Sequence, residues 1–154
     1  MPIIHSQSFH KTVPSQGKLL GIDVGTKRIG LAMSDETRLL FTPTKIIVRK
    51  SNEKDFAEIK NLCVENKIVA IVIGFPINMD STLNDMSQFV KKFATALDEF
   101  LGAQNIFFAD ERLTSFAAKD ISHSLNSRRK EKYYDDIAAS VILQDFVSGV
   151  KQRE

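Results

Sequence analysis

Short apolar runs alternate along this chain with stretches in which apolar residues recur every three or four positions. Leu19, Leu20, Ile22 and Val24 form a run too short and too apolar to keep one face in water, which predicts a fully buried strand over Lys18–Val24. Arg28–Ser34 predicts a second strand, joined to the first by the short Gly25-Thr26-Lys27 turn as an antiparallel hairpin. Thr44–Arg49 supplies a third, with Pro43 just outside it. A helix is predicted from Glu53 to Glu65, where Phe56, Ile59, Leu62 and Cys63 share one side and Ser51 or Asn52 can cap. Ile68–Ile73 is the most apolar run and reads as a central strand parallel to the first. A loop over 74–81 leads to a helix from Leu83 to Leu101 whose core stripe is Leu83, Met86, Val90, Phe93 and Leu97. A fifth strand falls within Gln104–Asp110, and a helix capped by Thr114 or Ser115 runs to Ser124. Leu125–Lys132 reads as a polar, basic loop, and a last helix over Tyr133–Ser148 turns Ile137, Ala138, Val141, Ile142 and Phe146 inward.

Three meandering strands followed by helical crossovers make an α/β fold, a five-stranded mixed sheet flanked by helices, because each parallel connection needs a crossover element. Residues 17–150 are expected to form this one domain. Residues 1–16 lack periodicity and read as a flexible N-terminal extension with at most a short ordered stretch.

Composition narrows the setting. The formal charge of +2 is too small to argue for nucleic-acid binding by itself, so the distribution of charge carries the information. Lys27 and Arg28 follow the hairpin turn, and Arg128, Arg129, Lys130 and Lys132 cluster before the last pair of acids. Cys63 is the sole cysteine, which excludes a disulfide framework within the chain. No run of 18 apolar residues and no signal-peptide pattern is present, so no membrane association is expected and the reducing cytoplasm is the expected location.

Asp23 is the anomaly in the first strand. A carboxylate near the end of a buried strand costs several kcal/mol in desolvation unless a cation or donors neutralise it. Gly25 then provides a positive φ or a close backbone approach. Two further stretches deliver acids: Asp110-Glu111 after the fifth strand and Asp135-Asp136 at the predicted start of the last helix. In an open α/β sheet, sites form outside the carboxyl ends of the parallel strands, where these acids would meet. Carboxylates gathered there repel one another unless a cation lies between them. An oxygen-only ligand set favours Mg²⁺ or Mn²⁺ over zinc. Two such ions about 3.5–4 Å apart can activate water and stabilise the leaving oxygen of a phosphodiester, with no covalent nucleophile. Arg112 can hold a phosphate oxygen by a bidentate contact or, equally, form a salt bridge to a neighbouring acid. Lys27 and Arg28 can contact a nucleic-acid backbone, and Asn78 can touch substrate from the loop beside the site. Turn chemistry accounts for Asn78 and Asp80 equally well.

Four motifs stand in order: Gly-Ile-Asp-Val-Gly-Thr-Lys-Arg-Ile-Gly-Leu-Ala (21–32), Gly-Phe-Pro-Ile-Asn-Met-Asp (74–80), Asp-Glu-Arg-Leu-Thr-Ser (110–115) and Asp-Asp-Ile-Ala-Ala-Ser-Val-Ile-Leu-Gln (135–144). Together they resemble the bacterial YqgF/RuvX family, described both as Holliday junction resolvases and as pre-16S rRNA nucleases, over about residues 18–148. The resemblance implies a ribonuclease H-like fold. It also implies divalent-metal nuclease chemistry with acids equivalent to Asp23, Glu111 and Asp135, which would hold the metal. Asp110 and Asp136 remain as additional acids, Glu111 being preferred to Asp110 for its longer reach. The family's Asp-Gly-Thr is Asp80-Ser81-Thr82 here.

The expected function is therefore metal-dependent phosphodiester hydrolysis on structured nucleic acid, in 5′-end maturation of pre-16S rRNA. The ribosomal precursor particle is a natural partner, and the chain is expected to be a monomer or weak homodimer. Cleavage of four-way DNA junctions is the runner-up. Asp-x-Gly-Thr also opens the phosphate loop of sugar kinases and heat-shock chaperone ATPases, but those pair two such domains and this chain supplies one. A non-catalytic nucleic-acid-binding factor is the remaining alternative.

Overall fold

The computed structural model describes residues 9–78, 80, 82–102, 105–110 and 127–152, with residues 10, 127–136, 151 and 152 described by their backbone alone. In chain order the elements are α1 (Phe9–Thr12), β1 (Leu19–Val24), β2 (Arg28–Ser34), β3 (Phe41–Val48), α2 (Asn52–Glu65), β4 (Ala70–Phe75), α3 (Asp85–Leu101), β5 (Ile106–Asp110) and α4 (Ser127–Gln152). The strands form one sheet in the order β3-β2-β1-β4-β5. β2 is antiparallel to both β1 and β3, whereas β4 is parallel to β1 and β5 to β4. The mixed five-stranded sheet expected from the order of elements is the one observed.

Alternation along β1 sends residues to two cores. Leu20, Ile22 and Val24 face Phe56, Ile59 and Cys63 of α2 and Val90, Phe93 and Leu97 of α3. Leu19 faces the other way, to a second cluster containing Val72, Phe107, Ala109 and Ile142, Leu143 and Phe146 of α4. A strand covered on both faces has no polar side, hence the continuous apolar run. Burial also pushes the Cys63 thiol up to about 11, so it stays protonated.

The sequence reading departs from the structure at four places. Pro43 lies inside β3, opposite Ala32 and beside a register shift between Leu31 and Ala32. It is tolerated because β3 is the outermost strand, where a missing N–H need not break a ladder. Leu83 is 49 % exposed and lies before α3, not on its core stripe. Asn84 caps that helix, accepting from the Ser87 N–H at 2.8 Å while the Ser87 hydroxyl accepts from the Asn84 N–H at 2.9 Å. The segment 127–132 is helical backbone and not loop, so the last helix starts at Ser127. Arg, Lys and Glu are strong helix formers, and this stretch holds no Gly or Pro. The helix expected over 115–124 lies outside the described residues.

The fourth difference concerns the N-terminal extension. Phe9 is 3 % exposed and Val13 is buried with it. The Phe9 ring meets Phe107 and Phe146 edge-on at centroid distances of 5.1 and 5.4 Å. Arg38 fastens the strap that follows, donating from Nη2 to the Pro14 carbonyl at 2.7 Å and from Nε to the Gly17 carbonyl at 3.0 Å. Its guanidinium also lies 5.3 Å from the Phe9 ring centroid. Arg38 in turn is held by a turn built on Asp35, whose carboxylate accepts from the Thr37 hydroxyl and from the Leu39 and Leu40 N–H groups. The Thr37 and Leu40 hydrogen bonds hold the Asp35 carboxyl down at about 2. Residues 9–17 thus pack on the sheet, because Phe9 and Val13, one helical turn apart but too few to show a repeat, join its second core. Phe9→Ala is expected to cost about 3 kcal/mol in chemical denaturation; a loss under about 0.5 kcal/mol would return this segment to the status of an appendage.

Candidate functional site

β1, β4 and β5 run the same way, so their carboxyl ends share one edge of the sheet. β3, antiparallel to β2, ends at that edge too. Asp23 is the penultimate residue of β1, opposite Gly30 of β2, and is half-buried between two buried neighbours, Ile22 and Val24. Ile22 pairs with Ile73 of β4, the last pair of that ladder, and Asp23 and Gly74 follow them in their strands. Ile22 and Val24 point to the α2/α3 core, so Asp23 shares the opposite face with Gly21, the face that α4 covers.

Gly21 sets the distance between that face and α4. A Cβ on it would stand 2.8 Å from the Ala139 carbonyl oxygen and 3.0 Å from Leu143 Cβ. Only hydrogen fits, and the helix backbone therefore lies directly against β1. The signal was present in the sequence as a glycine inside a strand pattern, a mark of close backbone approach.

Asp110 ends β5 opposite Phe75, on the same edge as Asp23. Its face is different. Phe107 and Ala109 belong to the α4 side, whereas Phe75 and Phe108 stack over the α2/α3 side at 4.5 Å between centroids. Asp110 follows their parity and lies across the sheet from Asp23, with β4 between their two strands. Glu111 and Arg112 lie outside the described residues. Asp135 and Asp136 fall within α4, more than two turns from its start and not in its first turn.

Two loops border the edge. In the hairpin turn, the Gly25 N–H donates to the Arg28 carbonyl at 2.8 Å, and a Cβ at Gly25 would stand 2.7 Å from that oxygen. A close backbone approach, with no positive φ, is therefore what this glycine provides. Lys27 is exposed at the turn and Arg28 is half-buried at the start of β2. After β4, the Asn78 amide donates to the Thr82 hydroxyl at 2.9 Å and its carbonyl accepts from the Asn84 amide at 2.9 Å. Asp80 accepts from the Thr82 hydroxyl at 2.6 Å and from the Thr82 N–H at 3.0 Å, which lowers its pKa. The Ser87 hydroxyl adds a bond of 2.6 Å to the Pro76 carbonyl. Asn78 is thus engaged in shaping this loop, beside the edge where the sequence placed it.

Three comparisons with other proteins bear on the chain as a whole. The profile of the family described as "RuvX: Holliday junction resolvase" matches residues 17–149. The chain belongs to the RuvX family. A relative from Carboxydothermus hydrogenoformans is 38 % identical over 133 residues, covering 85 % of this chain and 96 % of its own. Another, from Ehrlichia chaffeensis, is 34 % identical over 145 residues, covering 93 % and 92 %. Both carry the name "Putative pre-16S rRNA nuclease". Among solved structures, Thermus thermophilus RuvC in complex with a Holliday junction substrate superposes with a TM-score of 0.57 at 9 % identity, covering 88 % of this chain and 96 % of that one. That likeness carries the fold, which is ribonuclease H-like.

For a RuvX-family chain the question is whether the edge suits a metal. Among the described residues no three His, Cys, Asp or Glu side chains converge. Among the described residues, the half-buried carboxylate of Asp23 is the oxygen donor on the α4 face of this edge. The single thiol, Cys63, is buried in the opposite core and is no ligand here. A carboxylate oxygen is the donor type that hard divalent cations take.

Seating α4 on Gly21 has a measurable consequence. Gly21→Ala forces the helix from the strand and should cost about 1–3 kcal/mol in denaturation. An unchanged midpoint would show that α4 does not rest on β1.

Proposed function

We propose that this RuvX-family chain is a divalent-metal-dependent nuclease that hydrolyses phosphodiester bonds in structured RNA, in 5′-end maturation of pre-16S rRNA. The observation that carries the reading is the placement of Asp23 at the carboxyl edge of β1, on the face against which α4 lies. Positions 135, 139 and 143 are spaced by one helical turn each, and Ala139 and Leu143 are the residues pressed on Gly21. That stripe favours Asp135 as the partner of Asp23. Asp136 heads a different stripe, continued by half-buried Ser140 and exposed Gln144. The parity of Asp110 removes it from the Asp23 face, which favours its neighbour Glu111 as the third acid.

Asp23, Glu111 and Asp135 would hold Mg²⁺ or Mn²⁺, which supplies an activated water and charge neutralisation at the scissile phosphate. Lys27 and Arg28, beside the end of β1, position the substrate backbone without reading its sequence. Arg112, adjoining the acid pair, engages a phosphate oxygen. No helix among the described residues is long and apolar enough to cross a membrane. The setting proposed is the cytoplasm, with the ribosomal precursor particle as partner and the chain as monomer or weak homodimer.

Junction resolution is the second reading, favoured by the family's own description. One cleavage assay separates the two. A structured precursor rRNA fragment, a four-way DNA junction and an unstructured strand are incubated with Mg²⁺ or Mn²⁺, with Asp23→Asn protein as control. Losing an outer partner of a metal ligand already costs about 10–100-fold, so Asp23→Asn should reduce cleavage by about 100-fold or more while binding persists. Cleavage of the RNA alone supports the processing role. Paired cuts in the junction alone would transfer the assignment to a resolvase, and cleavage surviving in Asp23→Asn would remove Asp23 from the chemistry.

A further inference from the structure

A second charged feature occupies the same edge on the β3 side. The Arg49 N–H donates to the Lys27 carbonyl at 2.9 Å, which brings the β1–β2 turn against the chain leaving β3. Lys50 follows at once, and Lys54 lies in the first turn of α2, its N–H bonded to the capping Ser51 hydroxyl at 3.2 Å. Lys45, Lys50 and Lys54 line a groove of about 300 Å³ between the edge strand β3 and α2, floored by residues 46–48. Lys27, Lys50 and Lys54 are all exposed.

The acids of this groove are already committed. Asp55 is buried, with one oxygen 3.3 Å from Arg49 Nε and the other accepting from the Lys50 N–H at 3.3 Å. Arg49 is itself locked, donating to Asn52 at 2.7 Å and lying over the Phe89 and Phe93 rings. Glu58 pairs with Lys45 at 3.1 Å. The ammonium groups of Lys27, Lys50 and Lys54 have no carboxylate partner among the described residues. Three exposed lysines therefore line this edge on the α2 side of the sheet, with Glu53 the one further acid in the first turn of α2, held by the Arg49–Asp55 corner and two strands from Asp23.

We propose that Lys27, Lys50 and Lys54 form a phosphate track that holds the RNA backbone on the β3 side of the Asp23 site. This rests on the nuclease reading and extends it by naming where a substrate arm lies. Flexible ammonium groups aligned over backbone suit phosphates, which fix position without specifying sequence. An acidic protein segment is the competing occupant that the test must exclude.

The experiment measures binding of a structured precursor rRNA fragment in the Asp23→Asn background, with and without Lys50→Ala/Lys54→Ala. Lys91→Ala/Lys92→Ala, on the exposed side of α3, is the charge-matched control. The track predicts a Kd raised by about 10-fold or more and a slope of log K against log salt shallower by about 1.4–1.8, the loss of two phosphate contacts. With Asp23 intact, KM rises and kcat holds. Equal Kd and slope in the Lys50/Lys54 variant, or the same loss in the control, would overturn the track while leaving the nuclease reading intact. Failure of unsubstituted protein to bind or cleave any nucleic acid would overturn both.

Discussion

The approach of α4 to Gly21 is the constraint on which the rest of this structure depends. At 2.8 Å from the position of a would-be Cβ, the Ala139 carbonyl leaves no room for a side chain. The helix is thereby held against the strand that carries Asp23, and its register decides which later residues approach that carboxylate. Leu143 and Ile142 extend the contact into the core completed by Phe107, Phe146 and Phe9. A four-residue helix near the N-terminus thus supports the same face as the last helix. The site and the second core are one construction, with the carboxylate at its rim.

Much of this was legible in the chain. The β1–β2 hairpin follows from the buried run, the glycine turn and the apolar run after it, and β2 runs over Arg28–Ser34 as read. Asp23 was conspicuous because a carboxylate ending an apolar strand demands a partner. The edge it occupies follows from parallel pairing of β1, β4 and β5, which the helical crossovers require. What misled was local polarity. Ser127–Lys132 has the charge of a loop, yet its residues are helix formers with no breaker among them. Phe9 and Val13 stand at helical spacing but as one pair, and a single turn offers no repeat that could announce their burial. Leu83 fitted a spacing but precedes the Asn84 cap, so the capping box and not the apolar stripe marks where α3 begins.

The edge is asymmetric in a way that only the fold makes visible. Parity assigns Asp23 and Asp110 to opposite faces, though both end parallel strands and adjoin the same β4. At the far side, Arg49 spends its charge on Asp55 and on two aromatic rings and Lys45 pairs with Glu58, which leaves the Lys50 and Lys54 ammonium groups without a carboxylate partner among the described residues. In the proposed nuclease reading, Asp23 on the α4 face would serve the metal and the ammonium groups beyond the hairpin would serve the backbone of the substrate.

The central claim is that Asp23 and the α4 acid share a divalent cation at this edge, and titration of ¹⁵N-labelled protein with Mn²⁺ tests it most directly. Paramagnetic broadening should begin at the amides of residues 23, 24, 111 and 135, and should vanish in Asp23→Asn protein. Broadening centred on the Asp80 loop, or unchanged by that substitution, would contradict the claim.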